Sequence, residues 1–300
     1  MAGGTFLAAG SCAYAFRFLI ANTSSEAGAS VVFSGERWGM LIDLNKCNGC
    51  QACNESRLDE VPCVAACRDE NNTYHGEELE DIPHNIHWIR RVEIAQEAHS
   101  QTTDSAGESA AVRKFVILMC NHCDNPPCAQ VCPVQATYRR KDGVVIVDHH
   151  RCIGCRYCMI ACPYNARWFN FEDNKLPIKR KDDGTIPQPK RSHGVAESCT
   201  LCAHRIGVWE RDRKLNKENA DWIEENPAPV PACVEKCRTD GGNALVFGDL
   251  GRPESEISQL IANNAVKRIR DDLGTEPKVY YIGFPPKGQG TVGGSHGNQV

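Results

Sequence analysis

The feature that most constrains this chain is a cysteine spacing repeated four times. Sixteen of its eighteen cysteines fall into four groups of four. Cys152, Cys155, Cys158 and Cys162 form an unbroken C-x2-C-x2-C-x3-C run closed by Pro163, the spacing that wraps a 4Fe–4S cube. Cys120, Cys123, Cys128 and Cys132, followed by Pro133, repeat it with extra residues before the third cysteine. Cys199, Cys202, Cys233 and Cys237 repeat it with a long insertion at the same joint, and Cys47, Cys50, a third cysteine and Cys67 form the first group. A chain of 300 residues loaded in this way need not rely on apolar side chains alone for its interior.

The spacing follows from the chemistry. A cube offers four iron corners, each taking one thiolate. Three cysteines two residues apart let a tight loop wrap one cube with its amide groups near the sulfurs, and Gly49 and Gly154 suit that close backbone approach. The fourth cysteine, one turn beyond the third, ligates the neighbouring cube. The proline after it turns the chain away. Disulfides fit small secreted frameworks better than a chain of this size. Zinc has no use for a third cysteine followed by C-x3-C-P. No C-x-x-C-H order is present, so c-type haem is not indicated.

This cross-ligation pairs the groups. One inner cube takes Cys120, Cys123, Cys128 and Cys162; its neighbour takes Cys152, Cys155, Cys158 and Cys132. The first and fourth groups then pair outside them. One outer cube takes Cys199, Cys202, Cys233 and Cys67, the other Cys47, Cys50, a third cysteine and Cys237. For that third ligand, Cys53 keeps the x2 spacing from Cys50 and Cys63 keeps the x3 spacing to Cys67. The proline before Cys63 matches the other interrupted groups and favours Cys63, with Cys53 as the alternative. Arg68 and Arg238 stand where the other groups have proline. A guanidinium there either raises a cluster's potential or is a solvated surface group. His122 and His204 finish local turns rather than act as ligands, and Tyr157, Tyr164 and Trp168 read as shielding and core.

Short strands are expected at 38–43, 87–94, 114–119, 143–148, 244–248 and 278–282. Helical patterns cover 206–225 and 254–269, the latter with Ile257, Leu260, Ile261 and Val266 on its apolar side. A polar surface loop is expected at 96–111 and an external insertion at 171–195. Asp43-Leu-Asn-Lys46-Cys47-Asn-Gly49-Cys50 echoes Asp148-His-His-Arg151-Cys152-Ile-Gly154-Cys155, an internal repeat. The fold class expected is α+β: a duplicated two-cluster (4Fe–4S dicluster) ferredoxin-like fold with surface insertions. Its core spans 38–283, with an inner unit at 114–170 between outer halves at 38–113 and 171–283, and a flexible Gly-rich tail at 284–300.

Residues 1–37 read as an arm or anchor. Thr5 to Ala21 is largely apolar but interrupted by Arg17, and shorter than a comfortable membrane span. Its readings are an arm packed on a partner subunit, a remnant of an export signal, and a lipoprotein-like site with Cys12 as a lipid anchor. The net charge of −4 shows no basic excess for nucleic acid.

At Cys120-Asn-His-Cys-Asp-Asn-Pro-Pro-Cys128, at Cys152 to Tyr164, and at Pro231-Ala-Cys233 leading to Leu245-Val-Phe-Gly-Asp249, the chain resembles the iron–sulfur subunits of complex iron–sulfur molybdoenzymes. These include DMSO reductase, polysulfide reductase and formate dehydrogenase beta-like subunits. Trp38 to Asp43 with His87 to Arg90 also resembles the iron–sulfur part of alternative complex III and quinone reductase complexes, and the ending Leu273 to Ile282 resembles those and the iron–sulfur subunit of the sulfite-reductase-associated membrane complex. The resemblance runs from about Trp38 to Ile282 and departs from the family at the insertion around Cys53. It implies four 4Fe–4S clusters in a chain. It also implies an integral-membrane quinone-interacting subunit as one partner and a molybdopterin or multihaem cytochrome subunit as the other.

No nucleophile–base pair, phosphate loop or open metal position accompanies the cysteines, so the expected role is a non-catalytic electron wire. The complex is expected to be membrane-associated, at the extracytoplasmic face, with the cytoplasmic face as the alternative. The other classes are a redox enzyme with one substrate-accessible cluster, disfavoured by the full cysteine count of every group, and a structural zinc protein.

Overall fold

A computed structural model describes residues 35–47, 50, 61–73, 86–95, 113–171, 192–284 and 291–292. The expectations for Cys12, Cys53, the loop at 96–111 and most of the arm, of the 171–195 insertion and of the tail lie outside the described residues. In chain order the elements are β1 (Trp38–Asp43), α1 (Pro62–Asn71), β2 (Ile89–Ala95), β3 (Arg113–Met119), α2 (Pro127–Gln130), β4 (Thr137–Arg139), β5 (Val145–Val147), α3 (Tyr157–Ile160) and β6 (Trp168–Phe169). They continue with β7 (Ala196–Glu197), α4 (Ala203–Leu215), α5 (Ala220–Glu225), α6 (Ala232–Asp240), β8 (Leu245–Asp249), α7 (Glu256–Asn263), β9 (Val266–Lys267), β10 (Val279–Ile282) and β11 (Thr291–Val292). The mixture of helices and strands is α+β.

The largest sheet has the order β8-β1-β10-β9. β1 is paired on both sides, antiparallel to β8 and parallel to β10. That explains why its sequence is nearly all apolar rather than alternating: both faces are covered. Trp38 at its start stacks on Phe247 at 5.3 Å and meets Trp209 of α4 edge-on at 5.7 Å, so the sheet and α4 share one core. β2 and β3 form an antiparallel pair joined at its edge by β11. Beyond β3, the described strands of the inner segment are the β4–β5 ribbon and β6, which pairs with β7.

Helix α1 starts with Pro62 at its first turn, where the missing N–H costs nothing. It ends at Asn72, whose left-handed φ of 50° lets its N–H close on the Arg68 carbonyl. Helix α6 follows Pro231 in the same way, and α1 and α6 pack together. Two expectations change here. The helix expected at 254–269 ends at Asn263, because Val266 and Lys267 pair with Ile282 and Tyr281 as a strand. The helical stretch expected at 206–225 is two helices, α4 and α5, parted near Asn216, with Asn219 capping the second by accepting from Trp222 N–H. The tail, which lacks a core-forming pattern, still contributes β11 to the edge of β2.

A buried ionic knot joins the large sheet to the inner unit. Lys278, 0% exposed, donates to Asp124 at 2.9 Å and to the Gly143 carbonyl. Arg37 and Arg139 bind the same carboxylate. Burial opposes its ionisation, and Arg37 and Lys278 outweigh it, holding Asp124 below the usual carboxylate range. Backbone bonds from Asp124 and Asn125 to Glu276 and Thr275 strap the loop of the second group along the segment before β10.

Candidate functional site

The cysteine loops share a backbone device. In the three loops whose second intervening residue is described, that residue is left-handed: His122 at φ 43°, Gly154 at 70° and Leu201 at 50°. Gly154 is the position where only glycine fits, since a Cβ would lie 2.4 Å from the Gly194 carbonyl oxygen. Cys50 and Cys202, second cysteines of the first and fourth groups, also share positive φ, 56° and 52°. These turns bend the chain sharply enough to bring two thiols to one side.

The outer groups are assembled by helices. Cys63 and Cys67 lie one turn apart on α1, about 6 Å along the axis, and Cys233 and Cys237 do the same on α6. Cys47, Cys50, Cys63 and Cys237 line one cavity together with Val61, Ile117, Ala244 and Leu245. Cys67 faces Cys199 and Cys202, and Cys233 faces Cys202, Cys67 and Cys199. The first thiol of each helix thus meets the last of the other, as antiparallel packing of α1 on α6 requires. Cys53 is outside the described residues, and Cys63 is the third thiol at the first cavity.

Around the fourth group, Glu70 of α1 is buried and bonded to Arg205 at 2.8 Å and to His204 Nε2 at 2.6 Å, with Glu235 also on Arg205. Burial works against the Arg205 charge, and the two carboxylates outweigh it, raising its pKa further. His204 is therefore a partner of Glu70. Arg68 and Arg238 are partly exposed and pair with Asp69 and Glu256, which matches the surface reading.

The inner groups are built on one-turn helices. Cys120, Cys123, Cys128 and Cys162 line a second cavity with Pro126, Tyr164 and Arg167. Cys158 lies near Cys152 and Cys128, which sets the third group beside the second. Cys132 is half-buried and its Sγ accepts from Ala136 N–H at 3.2 Å and Thr137 N–H at 3.5 Å. Slight burial opposes its ionisation, and these and the Val134 N–H outweigh it, so its pKa falls below the ordinary thiol value. Cys155 is exposed. Around it Ile153 is 64%, Tyr157 60% and Ile160 84% exposed. Tyr157, expected as shielding and core, lies on the surface because α3 is too short to bury a second face. Tyr164 is bonded to Thr275, and Trp168 is half-buried against His87.

The donor set fits iron–sulfur cubes. None of the sixteen described cysteines is in a disulfide. The thiols of the first and second groups line cavities. Burial and the neighbouring thiols push Cys63, Cys67, Cys120 and Cys233 far up, and Cys123 to about 11. Four buried thiolates in one cavity are tolerable only around a cationic core. Two buried donors near the second group, His122 Nε2 and Arg167 Nε, have no protein acceptor, and a sulfide-rich cube supplies acceptors. His122 is neutral, since burial and the cations Lys278 and Arg167 lower its pKa, and its Nδ1 accepts from Val145 N–H at 3.0 Å.

Residues 112–188 match the family model for a 4Fe-4S dicluster domain. The chain is 39% identical over 249 residues to the Hdr-like menaquinol oxidoreductase iron-sulfur subunit 1 of Archaeoglobus fulgidus, covering 82% of each chain. The chain belongs to the 4Fe-4S dicluster family of iron–sulfur subunits. Other members of this family are a tetrathionate reductase subunit of Salmonella typhimurium, 34% identical over 83% of this chain and 73% of the relative, and the menaquinone reductase iron-sulfur cluster-binding subunit of Nitratidesulfovibrio vulgaris, 32% identical over 82% and 88%. As a dicluster iron–sulfur subunit it transfers electrons through 4Fe–4S clusters and is not the catalytic subunit. One feature of the site was not visible in the cysteine spacing. Arg167, five residues after Cys162, is the guanidinium buried among the thiols, whereas the spacing singles out Arg68 and Arg238. Its only signal was proximity to the C-P closing the third group.

Proposed function

We propose that the sixteen thiolates hold four 4Fe–4S clusters, making this chain the electron wire of a membrane-associated respiratory complex. The ligand sets are Cys47, Cys50, Cys63 and Cys237; Cys67, Cys199, Cys202 and Cys233; Cys120, Cys123, Cys128 and Cys162; and Cys132, Cys152, Cys155 and Cys158. Each bound cube supplies a one-electron couple. The chain's own part is to space the cubes, exclude water and set their potentials. The observation that carries this reading is the exchange between α1 and α6, which brings Cys237 to the first group and Cys67 to the fourth. The shared left-handed loop positions support a duplicated dicluster unit spanning 38–283, with the inner unit at 114–170 and the segments 1–37 and 284–300 outside it.

The wire runs between a quinone-interacting integral-membrane subunit and a molybdopterin or multihaem partner. Relatives named as menaquinol oxidoreductase and menaquinone reductase subunits support the quinone side, and the tetrathionate reductase relative supports a reductase on the other. No described helix is long and apolar enough to cross a membrane, so attachment of these residues runs through a partner, placed here at the extracytoplasmic face. The exposed apolar rim around Cys155 suits contact with a protein.

Anaerobic purification of the complex with metal analysis and EPR tests the reading. The expected result is about sixteen irons per chain and four cube signals on reduction. Stoichiometric zinc, or about eight irons with the outer thiols titratable, would sink it.

A further inference from the structure

Among the described residues, Arg167 is a buried cation with no carboxylate paired to it. It is 4% exposed. Its Nη2 donates to Cys128 Sγ at 3.1 Å and its Nη1 to Thr137 Oγ1 at 3.2 Å. It also hydrogen-bonds Cys158, and its Nε has no partner among the described residues. An isolated buried guanidinium is costly, so this one requires anions close by. The nearby anions are thiolates: Cys128, Cys120, Cys158 and Cys162 all act on it, and together they outweigh the opposing effect of burial on its charge. Cys120, Cys128 and Cys162 belong to one cube's ligand set and Cys158 to the other's. Arg167 therefore sits at the junction of the inner pair.

The outer pair lacks this arrangement. Arg205 lies near Cys202, but Glu70 and Glu235 bind it on both sides. Its positive charge still acts on Cys202, and Glu70 acts on the same thiol in the opposite sense, so the charge there is offset. Arg68 and Arg238 are neutralised by acids at the surface.

We propose that Arg167 is a positioning residue that raises the reduction potential of the inner pair, acting most on the cube held by Cys120, Cys123, Cys128 and Cys162 and less on its neighbour. Reduction adds one electron to a cube, and no bond to the protein forms or breaks. The added negative charge is stabilised by a fixed cation in a medium that screens it little. The guanidinium bond to Cys128 Sγ also draws density from the sulfur, which favours the reduced state. Electrons on the chain consequently rest preferentially on the inner pair. This inference rests on the four-cluster reading above.

The test is EPR-monitored redox titration of the anaerobically purified complex carrying Arg167→Met, with the second-group signal identified by its loss in Cys162→Ser and the third-group signal by its loss in Cys152→Ser. Iron content and the number of signals test the four-cluster reading; the midpoint potentials test Arg167. The second-group cube of Arg167→Met is expected to lose at least a tenfold factor in its reduction equilibrium, about 59 mV for one electron. The third-group cube should shift in the same direction by less, and the outer pair should not move. Arg167→Lys, which keeps the charge, should recover most of the loss. Unchanged inner potentials, or an equal shift of all four cubes, would overturn the proposal. Arg167→Gln serves as the second neutral variant; if neither it nor Arg167→Met retains the inner cubes, Arg167 is an assembly residue and the proposal fails.

Discussion

The inner and outer cysteine pairs use one spacing and two kinds of enclosure. The inner thiols sit on loops and one-turn helices, α2 and α3, braced by two-stranded ribbons. One side of that unit is open, with Cys155 exposed and Ile160 standing in solvent. The outer thiols sit on longer helices, α1 and α6, whose partners are far away in sequence and whose cavity is sealed by β3 and the start of β8. A loop of contiguous ligands can wrap a cluster with almost no fold around it. Interrupted ligands need a sheet and two packed helices to bring them together. The outer pair is therefore bound to the stability of the whole domain, while the inner pair is more nearly a local structure.

Cysteine replacements should break the comparison most strongly. Cys63→Ser is expected to remove about four of about sixteen irons and one outer signal, leaving both inner signals intact. Cys53→Ser should leave all four. Metal analysis with EPR on each variant decides it, and retention of every signal in Cys63→Ser would transfer the ligand role to Cys53.

Core truncation should separate the pairs next. Leu245 is buried and lines the outer cavity, so Leu245→Ala should cost about 2–5 kcal/mol. Loss of the outer signals at lower denaturant than the inner ones is the expected pattern. Simultaneous loss would mean that the two pairs unfold as one unit. Glu70→Gln should follow, at about 1.5–3 kcal/mol, because it weakens charged hydrogen bonds to Arg205 that tie α1 to α4. Denaturation followed by cluster absorbance measures it, and no change would assign Arg205 mainly to Glu235.

On the inner side, Gly154→Ala places a Cβ against the Gly194 carbonyl in a left-handed turn. The conformational part alone is about 1–2 kcal/mol, read as faster loss of the third-group signal. Ile160→Ser is the smallest effect. Its side chain is exposed, so stability should change by no more than about 0.5 kcal/mol. Any larger change in the isolated chain would show that α3 is buried there after all.

Much of this was legible in sequence, for reasons that differ by region. The strand at Trp38–Asp43 forms at those residues, because a central strand covered on both faces is written as an apolar run. Cys162 and Cys128, on different groups, line the same cavity. Less legible was the end of α7, where Val266 fits a helical stripe as well as a strand, and pairing with Ile282 decided between them. Arg167 was not legible. Nothing in an arginine's local sequence says that its guanidinium will be turned inward against Cys128 rather than outward like Arg238.

The sequence by itself determined the ligand chemistry and the number of four-cysteine groups, because spacing along a chain is local and a cube's demand for thiolates is strict. Tertiary structure alone decided which thiols of distant groups meet, since that depends on α1 lying against α6. It also decided that Cys155 is exposed and that the Arg167 guanidinium is turned inward against Cys128. Those are properties of burial and of neighbours brought from elsewhere in the chain, and no spacing of residues encodes them directly.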